Sequence, residues 1–91
     1  MDRFKEYRIN PSVISTELDL GAVLLNLDTK YYYNLNETGL RIWNLVKKSC
    51  SLSQIVMTLT NEYGIDLQQA AASLTRIIKK LENEHLIIPI K

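Results

Sequence analysis

Ninety-one residues, 46% hydrophobic and 23% charged, fit one compact domain over 1–91 and leave no room for a second. The single cysteine, Cys50, excludes an internal disulfide, no Cys/His cluster has metal-ligand spacing, and the charged opening MDRFKEYRIN is neither a signal peptide nor a membrane span. Eleven Lys and Arg against ten Asp and Glu give a formal charge of +1, which supplies little attraction to phosphate backbones. A soluble protein of a reducing, cytoplasmic setting is expected.

Residues 1–9 read as a flexible lead-in, closed by the turn signal Asn10-Pro11-Ser12. Three strand-like stretches follow, SVISTELD, GAVLLNLD and KYYYNL. The connections Asp19-Leu20-Gly21 and Asp28-Thr29-Lys30 are short enough for hairpins, so the strands form an antiparallel meander. In the third strand, period two places Tyr31, Tyr33 and Leu35 on one face and Tyr32 and Asn34 on the other. Leu35 immediately precedes a helix cap, which assigns the first of these faces to the core.

From Asn36 onward the hydrophobic period becomes helical. Asn36 caps a first helix whose apolar face carries Gly39, Ile42, Trp43, Leu45 and Val46 and which ends near Lys47-Lys48. Ser51-Leu52-Ser53-Gln54 matches a capping box and opens a second helix over about Leu52 to Tyr63, stopped by Gly64. Asp66 caps a third helix with Leu67, Ala70, Ala71, Leu74, Ile77, Ile78 and Leu81 on one stripe. The tail LIIPIK contains Pro89, which allows at most an edge strand. The fold class expected is α+β, winged helix-turn-helix-like, with a three-stranded antiparallel sheet followed by three helices.

No catalytic constellation emerges from these residues, so no enzyme is expected. His85 stands at a helix end and reads as a structural cap, Cys50 reads as a loop thiol, and Gly21, Gly39 and Gly64 are too scattered for a phosphate loop. Two binding readings remain. In the first, the third helix reads DNA with Gln68, Gln69, Ser73, Arg76, Lys79 and Lys80, a reading that the nearly neutral charge weighs against. In the second, KYYYNL is a sheet edge with unpaired backbone groups that accepts an extended peptide as an added strand, or a second copy of the chain by strand exchange. The tyrosines of that stretch are equally compatible with plain strand propensity and core packing.

The run Tyr33-Asn34-Leu35-Asn36-Glu37-Thr38-Gly39-Leu40-Arg41-Ile42-Trp43 resembles the "YxLNxTGxxIW" pattern of the PqqD-like proteins, or precursor-peptide recognition elements. SLSQIVMTLTNEYGID is similar to the family's second helix and LTRIIKKLENEHLI to its closing helix, so the resemblance spans about Val13 to Ile87. It implies a non-catalytic module, without cofactor or metal, that binds the leader of a ribosomally made precursor and presents the core to modifying enzymes. The enzyme is a radical-SAM protein in the pyrroloquinoline-quinone pathway, or a leader peptidase and a cyclase in lasso-peptide biosynthesis. The resemblance also implies where the leader lies, along the third predicted strand and against the third helix. Carried onto this chain, those positions are Lys30, Tyr31, Tyr32, Tyr33 and Asn34, with Ala70, Ser73, Leu74, Ile77 and Ile78. Two positions depart from the pattern: His85 stands where the family usually has Gly, and Ser73 where many members have an acidic residue.

Overall fold

A computed structural model describes residues 5–90. Its elements in chain order are β1 (Glu6–Ile9), β2 (Val13–Leu18), β3 (Gly21–Asn26), β4 (Tyr32–Asn36), α1 (Glu37–Lys47), α2 (Leu52–Tyr63), α3 (Leu67–Asn83) and β5 (Ile87–Ile90). Strands β2, β3 and β4 form an antiparallel sheet in that order, followed by the three helices, which is the α+β architecture expected. The third strand of the sequence reading is therefore β4, and it stands at the sheet edge.

The meander closes because its turns suit the residues in them. Asp19 and Leu20 alone separate β2 from β3, and Leu18 pairs with Gly21 across that turn. Gly21 is required for a second reason: a Cβ there would fall 2.0 Å from the Leu35 carbonyl oxygen, so only glycine lets β4 approach this closely. Ala22, Leu24 and Asn26 turn one face of β3 inward, whereas Ile14 and Tyr32, both cross-strand partners of Leu25, lie exposed on the other face.

Each helix begins at the cap that its sequence supplies. The Asn36 side chain accepts from the Gly39 N–H at 2.8 Å, and that of Asp66 from the Gln69 N–H at 2.7 Å. Ser51 and Gln54 satisfy one another's backbone reciprocally, and Gly64 ends α2 in the left-handed conformation at φ 63°. His85 takes the same left-handed conformation after α3, at φ 58°, which accounts for its tolerance where glycine is usual. The His85 backbone supplies the turn: its carbonyl receives the Asn10 and Asn26 side-chain amides at 2.7 and 3.4 Å. The buried core joins Leu24 of β3 to Ile42, Trp43 and Val46 of α1, Ile55 and Leu59 of α2, Leu74, Ile78 and Leu81 of α3, and Leu86 and Ile87. Cys50 packs against this cluster from the α1–α2 connection.

One expectation is corrected at the start of the chain. Of the proposed lead-in over 1–9, residues 1–4 lie outside the described residues, but Glu6–Ile9 form β1, paired antiparallel with β5. The cause is Tyr7, which is 4% exposed, packs into the core and donates its hydroxyl to Glu82 at 3.2 Å, while the Lys5 amine lies 5.3 Å from its ring. Charged neighbours on both sides of one aromatic hide this strand from a hydrophobic-period argument. The Asn10 N–H donates to the Leu86 carbonyl, and bonded pairs alternate along an antiparallel ladder. Tyr7 and Pro89 therefore form a non-bonded pair, and the missing proline N–H faces away from β1, in keeping with the edge-strand limit set for the tail.

Candidate functional site

The outer side of β4 is a free strand edge. The Asn26 N–H donates to the Tyr31 carbonyl at 3.0 Å, so bonded pairs recur at Leu24–Tyr33 and Ala22–Leu35, two residues apart. The backbone N–H and C=O of Tyr32 and Asn34 then point away from β3. Among the described residues, no other strand pairs with them. Side chains follow the same alternation: Tyr33 and Leu35 pack against the core, while Tyr32, 69% exposed, and Asn34 face outward.

The strand begins later than the sequence suggests. Lys30 takes a left-handed conformation at φ 66° and donates its N–H to the Asn26 carbonyl at 2.7 Å, so Lys30 and Tyr31 belong to the turn. Tyr31, assigned to the core by period two, is 65% exposed, and it precedes the first residue of β4. Asn26 organises this turn. Its side-chain oxygen accepts from the Asp28 and Thr29 N–H groups at 2.9 and 3.3 Å, and its amide reaches the Glu84 and His85 carbonyls at 3.5 and 3.4 Å. A buried asparagine thus ties the entry of β4 to the end of α3.

A second tie crosses from the strand itself. The Tyr33 hydroxyl donates to the Glu84 carboxylate at 2.5 Å, and this bond holds the phenol protonated, with its pKa pushed up to about 12. The Tyr7 phenol is raised as well, first by burial and also by the Glu82 carboxylate, with Lys5 pulling the other way. Between the two ties and the start of α1 lies a groove of about 170 Å³. Tyr33, Asn34, Leu35 and Asn36 form its strand wall, Ile77, Lys80 and Leu81 its helix wall, with Gly39 and Leu86 between. Gly39 has Leu35 and Asn36 side-chain atoms 3.3 Å from where a Cβ would stand, so a larger residue would crowd the groove wall.

The residues nominated from the sequence divide accordingly. Tyr33, Asn34 and Ile77 line the groove, Tyr32 offers its backbone on the edge beside it, and Lys30 and Tyr31 sit in the adjoining turn. Ser73 lies one helical turn before Ile77 and is half-buried. Ala70 and Leu74, both 0% exposed, and Ile78, 4% exposed, do not line it: they are core residues of the helix, and Ile78 borders a different recess with Lys5 and Tyr7. Of the small residues at the start of α3, Ala70 is buried, Ala71 and Ser73 are half-buried and Ala72 is exposed. Leu35, Asn36, Lys80, Leu81 and Leu86 also line the groove, though the sequence did not nominate them. The signal for the helix wall was present in the stripe itself, since Ile77, Lys80 and Leu81 follow one another at offsets of three and four.

Against protein families, residues 21–87 match the model described as coenzyme PQQ synthesis protein D (PqqD). The chain belongs to the PqqD family. The matched span begins at Gly21, which permits the approach of β4, and ends at Ile87, just after the α3 turn that Asn26 and Tyr33 grip. Two solved structures are similar to this PqqD-family chain along nearly their whole length. One is TbiB1 in complex with the TbiA(beta) leader peptide, 31% identical, covering 88% of this chain and 93% of that one, with a TM-score of 0.84. The other is a lasso peptide synthetase B1 complexed with the leader peptide, 25% identical, covering 92% and 99%, also with a TM-score of 0.84. No curated protein sequence matches the chain. Among the described residues of this family member, no group of three or more His, Cys, Asp or Glu could hold a metal ion, and no helix is long and apolar enough to cross a membrane.

Proposed function

We propose that this protein is a non-catalytic recognition domain that binds the leader of a ribosomally synthesised precursor peptide as an added strand on β4. It presents the remainder of the precursor to modifying enzymes in the cytoplasm. The observation that carries the reading is the free backbone edge at Tyr32 and Asn34 running beside a groove, in a family member whose similar solved structures are complexes with leader peptides. The contact surface is the β4 edge with Lys30, Tyr31, Tyr32, Tyr33 and Asn34, and the flank of α3 around Ser73 and Ile77.

The energetics suit such a task. Two outward-facing residues offer about four backbone hydrogen bonds, each worth roughly 0.5–1.5 kcal/mol net, and one leader side chain buried on Leu35, Ile77 and Leu81 adds about 1.5–3 kcal/mol. After ordering costs, that total suits micromolar or tighter binding. Similarity to lasso synthetase B1 proteins favours a leader peptidase and a cyclase as the enzymes served, over a radical-SAM enzyme. In the absence of a leader the same edge can accept a second copy by strand exchange. The DNA-binding alternative has no support: its residues Arg76, Lys79 and Lys80 belong to a nearly neutral chain, and Lys80 lines the groove. Titrating the protein into a fluorescently labelled leader, taken from the precursor encoded beside this gene, should give saturable binding, and no anisotropy change at micromolar protein would refute the proposal.

A further inference from the structure

We infer that the groove selects a strand carrying a carboxylate next to an apolar anchor, with Lys80 as the specificity-determining residue; this rests on the strand-addition reading above. Three observations converge on Lys80. It lines the groove opposite Asn34, Leu35 and Asn36, the part of β4 that an added strand would cover. It has no ion pair among the described residues, where Arg41 and Glu62 form the salt bridge found. Finally, the acids nearest to it in sequence are already engaged: the Glu84 carboxylate, four residues on and its natural helical partner, accepts from Tyr33, and that of Glu82 accepts from Tyr7. With Tyr33 of β4 and Tyr7 of β1 bonded to these two acids, Lys80 is, among the described residues, a cation without an ion pair beside an otherwise largely apolar groove.

Strand geometry fixes what the occupant must look like. Residues of an added strand that stand opposite Tyr33 and Leu35 are two apart and share the groove face, while those opposite Tyr32 and Asn34 point away from it. One groove-facing position rests an apolar side chain on Leu35, Ile77 and Leu81. The other extends a carboxylate to the Lys80 amine, where partial burial by the strand strengthens the pair over an open surface contact. The ligand class is thus an extended peptide with Asp or Glu two positions from an aliphatic or aromatic residue.

The test is affinity selection from a displayed library of random-sequence peptides on the full chain, run in parallel with Lys80→Met, Lys80→Glu and Lys80→Arg. Lys80 is exposed, so all three variants are expected to melt with the parent. Wild type and Lys80→Arg should enrich Asp or Glu two positions from an apolar residue, and replacing that acid by its amide should weaken binding about fivefold. Lys80→Met should lose the acidic preference while keeping the apolar one, and Lys80→Glu should shift it to Lys or Arg. Selected peptides that show no acidic preference, or an equal preference in Lys80→Met, overturn the inference. If their binding is nevertheless abolished by Tyr32→Pro, strand addition stands without it. If no peptide is enriched, or if enriched peptides are indifferent to Tyr32→Pro, the strand-addition reading fails and takes this inference with it.

Discussion

The hydroxyl of Tyr33 on the edge strand meets the carboxylate of Glu84, the residue that caps α3, at 2.5 Å. This bond crosses from one wall of the groove to the end of the element forming the other, so it sets their separation. It also couples that separation to pH. The bond to Glu84 raises the folded-state pKa of Tyr33 to about 12, whereas an unfolded tyrosine ionises at 10.0. A raised folded pKa means that the stabilisation is complete below pH 10 and is lost as pH rises from 10 to about 12. The stability difference between wild type and Tyr33→Phe should therefore be constant below pH 10 and vanish over that window in denaturant titrations. A difference that persists unchanged at pH 12 would show that the hydroxyl bond contributes nothing.

Asn26 should matter more than its position in an exposed hairpin suggests. It is fully buried, and removing its side chain leaves the Asp28 and Thr29 N–H groups and two carbonyls of the α3 end without their partner. Asn26→Ala is expected to cost about 1–3 kcal/mol, read from urea midpoints, and to weaken peptide binding by loosening the entry of β4.

Core and groove residues of α3 should separate in experiment. Leu74→Ala opens a cavity at a fully buried site and is expected to cost about 2–5 kcal/mol of stability, with peptide affinity unchanged in the folded fraction. Ile77→Ala, at the groove wall, should cost less stability but weaken binding by about tenfold, the loss of roughly 1.4 kcal/mol of apolar contact. Calorimetric titration beside thermal melting distinguishes the two.

Tyr32→Pro removes an N–H that points away from β3, at a sheet edge where proline is tolerated. The variant should fold, by circular dichroism and melting, and bind leader peptide at least about tenfold more weakly. Undiminished affinity in the folded variant would exclude this register.

The fold was legible in the sequence wherever caps and periods are local. Asn36, Ser51 and Asp66 start their helices as read, and Gly64 and His85 end α2 and α3 in left-handed turns. What escaped depends on contacts distant in sequence. Strand β1 rests on Tyr7 meeting Glu82, 75 residues away, and on a ladder with the tail, neither visible in EYRI itself. Similarly, the tyrosine run does not reveal that Tyr31 lies before the start of β4 and is exposed. At the site, the edge strand was found because its backbone pattern follows from strand order. On the helix flank, Ile77 lines the groove whereas Ala70, Leu74 and Ile78 join the core, because all share one apolar stripe and only packing decides which of them the core absorbs.

Addition of a leader to the β4 edge, filling the groove against α3, can be followed residue by residue by titrating unlabelled leader from the neighbouring precursor gene into isotopically labelled protein and recording the amide resonances. Large shifts are expected at Tyr32 and Asn34 and through Ile77, Lys80 and Leu81, with slowed hydrogen exchange at the Tyr32 and Asn34 amides. Shifts confined to β1 and β5 or to the α1 and α2 surface, with Tyr32 and Asn34 still exchanging freely, would contradict it.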